Sequence, residues 1–494
     1  MKIAFITPEL DPLVRRTPLA ETAAALPKAL RAAGCDARVF IPYTQLVQID
    51  KLEEFEHLGT VAAQDVDGRT NFQIHTGVLG DLPIYLFEHS KFFTGRNPYG
   101  GDDGPYEDNW RRFAVFARAV MESFATLNYE PDVIHCLDWT SGILPLLQDL
   151  EFTQRRPDHP ASKAGTYFQI HNLAMQGSFE RQILPQLGLP YRVFQSVGGV
   201  EVAGKVNFLK TGAEFATILG THSPGHAARI QQLDRGYGLE EVFRRRAKEL
   251  VGISNGIDYT AWDPATDPLL PKAFSQKDKN LNGKAKCKAV LQSALKLDNG
   301  ARTPLAAMIG RFDTDSGCEI LAEVLTTVLE RGVEVVLMGS GRPDIHERLK
   351  TIQTTFAGRC RVLEGYQTGI AHQIIAAADI LLLPAHYHPG NALCAIGMRY
   401  GAVPLIYTSS GLEDYVIDLE KNARGTGFHF QSYTGESLLG AIESARKLYK
   451  DQAAWKSVTM RCLRQDFSWN ATAQEYLKAY RRVMRRTKPR AQTA

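Results

Sequence analysis

Apolar residues in this chain fall into short runs separated by stretches of helical period. Lys2-Ile-Ala-Phe-Ile-Thr7 reads as a buried strand. Leu19, Ala23, Leu26 and Leu30 then recur at helical spacing up to Gly34, and Ala37-Arg-Val-Phe-Ile41 is a second apolar run stopped by Pro42. Strand, helix and strand in that order predict a parallel sheet covered by helices, because parallel neighbours need a crossover connection. Ile84-Tyr-Leu-Phe87, Asp132-Val-Ile-His135 and Tyr167-Phe-Gln-Ile170 predict further strands, with a Gly/Asp/Pro-rich loop over 95–105 and a helix over 109–127. A second alternation begins after residue 255, with strands at 304–309, 333–338, 361–363, 380–383 and 402–406 and helices ending near 331 and 374. Asn255-Gly256 and Asp263-Pro264 mark turns at the break. The pattern predicts an α/β protein of two Rossmann-like, doubly wound domains, 1–255 and 256–465, then a helix over 466–485 and a frayed basic tail over 486–494.

Composition narrows the class of partner. The 494 residues carry a net charge of +3 with no basic block, which gives no reason to expect nucleic acid or a membrane surface. The apolar run opening MKIAFITPEL is too short for a secretory signal, and no stretch is long enough for a membrane span. Seven Cys stand singly, without a CxxC, which predicts reduced thiols and a cytoplasmic protein. His386 and His388, two residues apart with no third ligand nearby, make a poor metal pair, so no metal site is expected. Gly339-Ser-Gly341 lacks the third glycine and first-strand setting of a dinucleotide fingerprint, and Thr7-Pro-Glu9 follows the first strand instead.

Several ordered motifs carry a resemblance. Asn97-Pro-Tyr-Gly-Gly-Asp-Asp-Gly-Pro-Tyr-Glu-Asp-Asn109 with Arg112-Phe113, Asp138-Trp139, Phe168-Gln-Ile-His-Asn-Leu-Ala-Met-Gln-Gly177, Asn207-Phe-Leu-Lys-Thr-Gly212, Gly236-Tyr-Gly-Leu239, Val251-Gly-Ile-Ser-Asn-Gly-Ile-Asp258 and Phe467-Ser-Trp469 follow one another over about residues 1–485. Together they resemble the bacterial glycogen synthases and plant starch synthases. The resemblance implies a GT-B fold, two facing Rossmann-like domains with a cleft between them, the last helix crossing back to the first domain. It implies retaining transfer of glucose from ADP-glucose or UDP-glucose to the 4-hydroxyl end of an α-1,4-glucan, with no metal and no cofactor.

The same resemblance assigns site residues. Metal-free departure of a nucleoside diphosphate needs fixed cations and helix N-termini. Arg311 fills the family's Arg position, whereas its Lys position is Ser316, beside Asp313 and Asp315. His388 stands at the family's Glu, with Gly390, Asn391 and Ala392 opening the phosphate-binding helix. In the loop after the first strand, Arg15 and Glu21 keep the charged ends of a Lys-Thr-Gly-Gly-Leu-x-Asp motif, but Thr17 and Pro18 replace the glycines that let backbone approach a diphosphate. Asn255 and Tyr366 are assigned to the nucleotide sugar, Tyr366 as a stacking ring. His171 is assigned to the donor glucose, and Glu9, Asp138 and Asn172 to the acceptor side, although Asp138 is equally suited to capping the next helix. Lys284 or Lys288 is a candidate stand-in for the missing Lys. The readings in play are a working synthase, a pseudoenzyme that binds glucan or nucleotide sugar beside a protein partner, and a transferase with altered donor or acceptor.

Overall fold

In the computed structural model, residues 1–298, 300, 302–386 and 392–487 are described. The chain forms two compact units: Met1–Ser254 with the segment from Trp469 onward, and Asn255–Ser468.

The N-terminal unit is built on a nine-stranded sheet. Its parallel part runs, in spatial order, Leu250–Gly252, Ile218–Thr221, Gly165–Ile170, Val133–Leu137, Lys2–Ile6, Asp36–Pro42 and Leu82–Glu88. The central strands are buried on both faces, which is why they read as unbroken apolar runs. The sheet departs from the all-parallel expectation at one edge. Glu53–Asp65 and Gly68–Leu79 form a long hairpin that adds two antiparallel strands beside Leu82–Glu88. The outer strand is exposed over most of its length, so it has no apolar run to announce it. Helices Leu19–Ala32 and Trp469–Thr487 pack against each other, the latter also against Gly165–Ile170.

The second unit holds a six-stranded, wholly parallel sheet in the order Cys360–Glu364, Glu334–Gly341, Leu305–Phe312, Ile380–Leu383, Val403–Tyr407, Phe428–Phe430. Its apolar core includes Leu305, Leu321, Val335, Leu381 and Leu405, all fully buried. Each sheet reverses its winding once, beside Lys2–Ile6 in the first unit and beside Leu305–Phe312 in the second. Ligands of open α/β sheets bind at the carboxyl ends of strands at such points. No helix among the described residues is long and apolar enough to cross a membrane.

Candidate active site

Four parallel strands of the N-terminal unit end side by side and deliver Glu9, Asp138, His171 and His222 to one edge of the sheet. Glu9 is fully buried, and its carboxylate accepts hydrogen bonds from the backbone N–H groups of Arg16 (2.5 Å) and Thr17 (2.7 Å), the Thr17 hydroxyl (2.9 Å) and the Tyr99 hydroxyl (2.5 Å). The two amides that a glycine-rich loop would offer to a diphosphate are thus already engaged. Arg15, placed at the family's Lys position, forms an ion pair with Glu21 and lies 3.8 Å from Asp11.

Tyr99 reaches Glu9 because the loop carrying it is held from below. Asn109 opens helix Asn109–Thr126 and donates its amide to Tyr99 O (2.8 Å). Arg112, one turn on and fully buried, donates to the carbonyls of Phe92 (2.7 Å), Asn97 (3.1 Å) and Pro98 (3.2 Å) and to Asn109 Oδ1 (2.6 Å). Burial pushes its pKa down to about 10, so the guanidinium stays charged at neutral pH. The Asn109…Arg112-Phe113 motif is therefore scaffolding for the loop that clasps Glu9.

Asp138 adopts φ 60°, ψ −174°, a region nearly restricted to glycine that costs about 1–3 kcal/mol and clusters at functional sites. Its side chain makes no capping bond to the short helix Trp139–Ser141, which removes the capping alternative. Burial lifts its pKa to about 7 against backbone N–H groups of Asn172, Trp139 and His171, and Oδ1 has no hydrogen-bond partner. His171 Nε2 is likewise buried and unpartnered, and burial, with a smaller push from His222, takes the ring down to about 3. Asn172 is exposed and closes a turn through Oδ1 to Ala174 N (3.0 Å). Gly177 ends this segment at φ 60°, where a Cβ would meet the Trp139 ring at 2.2 Å, so the Asp138-Trp139 and Gln176-Gly177 motifs lock together.

Two features of this edge carry no sequence-stated role. The His222 and His226 rings lie 4.0 Å apart, tilted by 30°, and the His226 ring is 2.6 Å from the Thr221 hydroxyl. Tyr237 sits at φ 55° yet leaves 63% of its surface exposed. Its carbonyl accepts from Gln176 Nε2 (3.0 Å), and Glu240 Oε1 accepts the N–H groups of Gly236 (2.8 Å) and Gly238 (3.3 Å). Backbone strain that presents an exposed ring is visible only in three dimensions.

The histidines make acid stability testable. Burial holds His171, His222 and His226 near 3, 4 and 2, below the unfolded value of about 6.5. As pH falls below about 6.5 the unfolded chain takes up protons that the folded chain refuses, so stability is lost downward from there. Asp138, lifted to about 7, acts with opposite sign: its contribution is present at low pH and lost as pH rises toward 7. His222→Gln is expected to flatten the fall of unfolding free energy between pH 6 and 5 by up to about 1.4 kcal/mol per pH unit. Denaturant titrations across that range check it, and an unchanged slope would refute the assignment.

In the second unit, Arg311 lies near the end of Leu305–Phe312, 84% exposed at its side chain, with Nε 2.7 Å from Asp313 Oδ2. Asp313 Oδ1 accepts Ser316 N (2.8 Å), and the Ser316 hydroxyl donates to Asp313 O (2.8 Å). Ser316 thus shapes the turn into helix Cys318–Glu330. Gly317 completes it at φ 76°, where a Cβ would meet Pro384 O at 2.3 Å. His386 N donates to Asp315 O (3.0 Å), so the loops after the two central strands touch.

Neither candidate stand-in lysine reaches this edge. Lys284 Nζ donates to the carbonyls of Ala376 (3.0 Å), Ala378 (2.8 Å) and Tyr400 (2.9 Å). Lys288 Nζ is bound by Asp379 (2.6 Å), Thr303 O (2.5 Å) and the Tyr449 hydroxyl (2.9 Å). Asp379 also accepts Leu305 N, the first residue of the strand that carries Arg311 near its far end. The lysines therefore anchor the amino end of the sheet, roughly 20 Å from the carboxyl end at about 3.3 Å per residue.

Tyr366 is 61% exposed beyond Cys360–Glu364. Asn255 O accepts from the Tyr415 hydroxyl (3.4 Å). Ala392 opens helix Ala392–Arg399, while His388, Gly390 and Asn391 lie outside the described residues. Among the described residues no group of three or more His, Cys, Asp or Glu is placed to hold a metal ion.

Residues 2–245 match the family model described as the starch synthase catalytic domain. Glycogen synthase of Anaeromyxobacter sp. (strain Fw109-5) is 36% identical over 97% of this chain and 99% of its own length. That of Geotalea uraniireducens (strain Rf4) is 36% identical over 98% and 99%. The catalytic domain of starch synthase IV from Arabidopsis thaliana, solved bound to ADP and acarbose, superposes with a TM-score of 0.80 at 29% identity, covering 98% of this chain and 99% of that one. The fold and these matches define the class: an α/β glycosyltransferase of GT-B fold. Within it, the chain belongs to the glycogen synthase and starch synthase family.

Proposed function

We propose that this cytoplasmic protein transfers glucose, with retention, from ADP-glucose or UDP-glucose to the 4-hydroxyl end of an α-1,4-glucan. The observation that carries the reading is the pair of buried, unpartnered polar atoms, His171 Nε2 and Asp138 Oδ1, on adjacent strand ends. Buried polar groups are nearly always paired, and an orphan is costly. Sugar hydroxyls are the natural partners: a neutral imidazole and a carboxyl with pKa near 7 both exchange hydrogen bonds with them. The ADP and acarbose held by the Arabidopsis relative support a nucleotide-sugar donor and a glucan acceptor. Tyr237 supplies an exposed ring on which an acceptor pyranose can stack. In this reading Arg311 is assigned to the departing diphosphate, Tyr366 to the base, and Asn255, Arg15 and the helix opening at Ala392 to the nucleotide sugar.

Three observations favour a second reading, a binding protein without turnover. Arg311 is paired with Asp313, the loop amides are held by Glu9, and both spare lysines are buried elsewhere. Incorporation of radiolabelled glucose into glycogen from each donor decides between them. Steady incorporation supports the transferase. Its absence, with glucan or ADP still bound, supports the second reading.

The Asp313 pair also sets a prediction. Asp313→Asn keeps an acceptor for Ser316 N but frees Arg311. A partly exposed pair of this kind is worth about 0.2–1 kcal/mol, so kcat/KM is expected to rise by about 1.4- to fivefold. A fall in kcat/KM would show that the carboxylate assists the reaction.

A further inference from the structure

The N-terminal unit carries a groove of about 710 Å³ that shares no residue with the site above. Its walls come from the tip of the edge hairpin, helix Asn109–Thr126, residues 150–156 and the loop 185–192. Five arginines and three carboxylates line it. Each carboxylate is already claimed: Asp65 by Arg111 (2.7 and 2.6 Å), Glu122 by Arg156 (3.0 and 2.9 Å) and Glu151 by the buried Arg118 (3.0 and 2.5 Å). Arg69, Arg155 and Arg192 remain, all exposed and without a carboxylate in ion-pair range among the described residues. Arg69 donates only to Ala62 O (2.9 Å).

We propose that this groove binds a phosphorylated sugar. Three uncompensated guanidiniums around one concavity suit an anion with several acceptor oxygens, because the planar fork matches phosphate. The volume is that of a small-molecule pocket and far exceeds one phosphate ion. The amides of Gln154 and Gln186, one from each of two walls, match hydroxyl groups. No aromatic side chain lines the groove, so neither a nucleobase nor the flat face of a neutral glucan finds a stacking partner. Charge and hydroxyl recognition are what the lining offers. The inference does not depend on the transfer reaction.

Isothermal titration of the full-length protein with glucose 6-phosphate and fructose 1,6-bisphosphate tests it, with glucose as control. The double variant Arg155→Gln/Arg192→Gln and the single variant Arg311→Ala are run alongside. Both groove arginines are exposed and unpaired, so the double variant should melt like the parent. The expected result is saturable, salt-sensitive binding of a sugar phosphate, weakened about tenfold or more in the double variant and unchanged in Arg311→Ala. No saturable binding at millimolar ligand, equal binding of glucose, or binding lost in Arg311→Ala but kept in the double variant would each overturn the proposal.

Discussion

Arg311→Ala is expected to lower glucosyl transfer by about 10²–10³-fold, mostly in kcat. Departure of a nucleoside diphosphate develops charge that the protein must meet with fixed donors, and loss of one such donor costs about 2.7–4 kcal/mol. In most such sites a second cation would soften the blow. Here the family's Lys position is Ser316, whose hydroxyl and amide are spent on the Asp313 turn, and Lys284 and Lys288 are locked at the other end of the sheet. Arg311→Lys should recover part of the rate, since it keeps the charge but loses the planar fork. Single-turnover incorporation from the preferred donor separates these variants. A loss under about threefold in Arg311→Ala would mean that the leaving group is stabilised elsewhere.

The second large effect is on stability. Asp379→Ala leaves the Lys288 ammonium buried with only a carbonyl and a phenol, and strips an acceptor from Leu305 N. Burial pushes that ammonium toward neutrality, and Asp379 together with the Tyr449 hydroxyl more than offsets it, holding its pKa above the usual lysine value. Breaking a buried pair by removing one partner costs about 3–5 kcal/mol. For a unit of this size that lowers Tm by roughly 6–20 °C. Adding Lys288→Met removes the stranded charge and should restore much of the loss. Calorimetry of the three proteins checks this, and equal melting of the single and double variants would show that the charge is not what matters.

Both effects bear on what a sequence can disclose. The central strands were legible because burial on both faces leaves unbroken apolar runs such as Ile380-Leu-Leu-Leu383. The hairpin Glu53–Leu79 was not, because its outer strand faces solvent and its residues look like loop. Of the site, the motifs fall at strand ends: Asp138 and His171 directly follow strands, and Arg311 is the last residue but one of Leu305–Phe312. Their states were hidden. Glu9 reads as a cleft carboxylate, but four donors from segments up to 90 residues away turn it inward. Lys284 and Lys288 read as spare cations on a helix, and partners mostly about 90 or more residues distant show them to be anchors. Partners that far along the chain leave no local pattern.

Helix Trp469–Thr487 belongs to the unit that begins at Met1, so the whole second unit is an insertion within the first. During synthesis the inserted unit leaves the ribosome complete while its host still lacks the helix that covers Tyr167 and His135. The usual order, in which the amino-terminal unit closes first, is reversed for the final step. Until its last turn is made, the nascent chain exposes an unfinished apolar face, which is the stage at which a chaperone has most to protect.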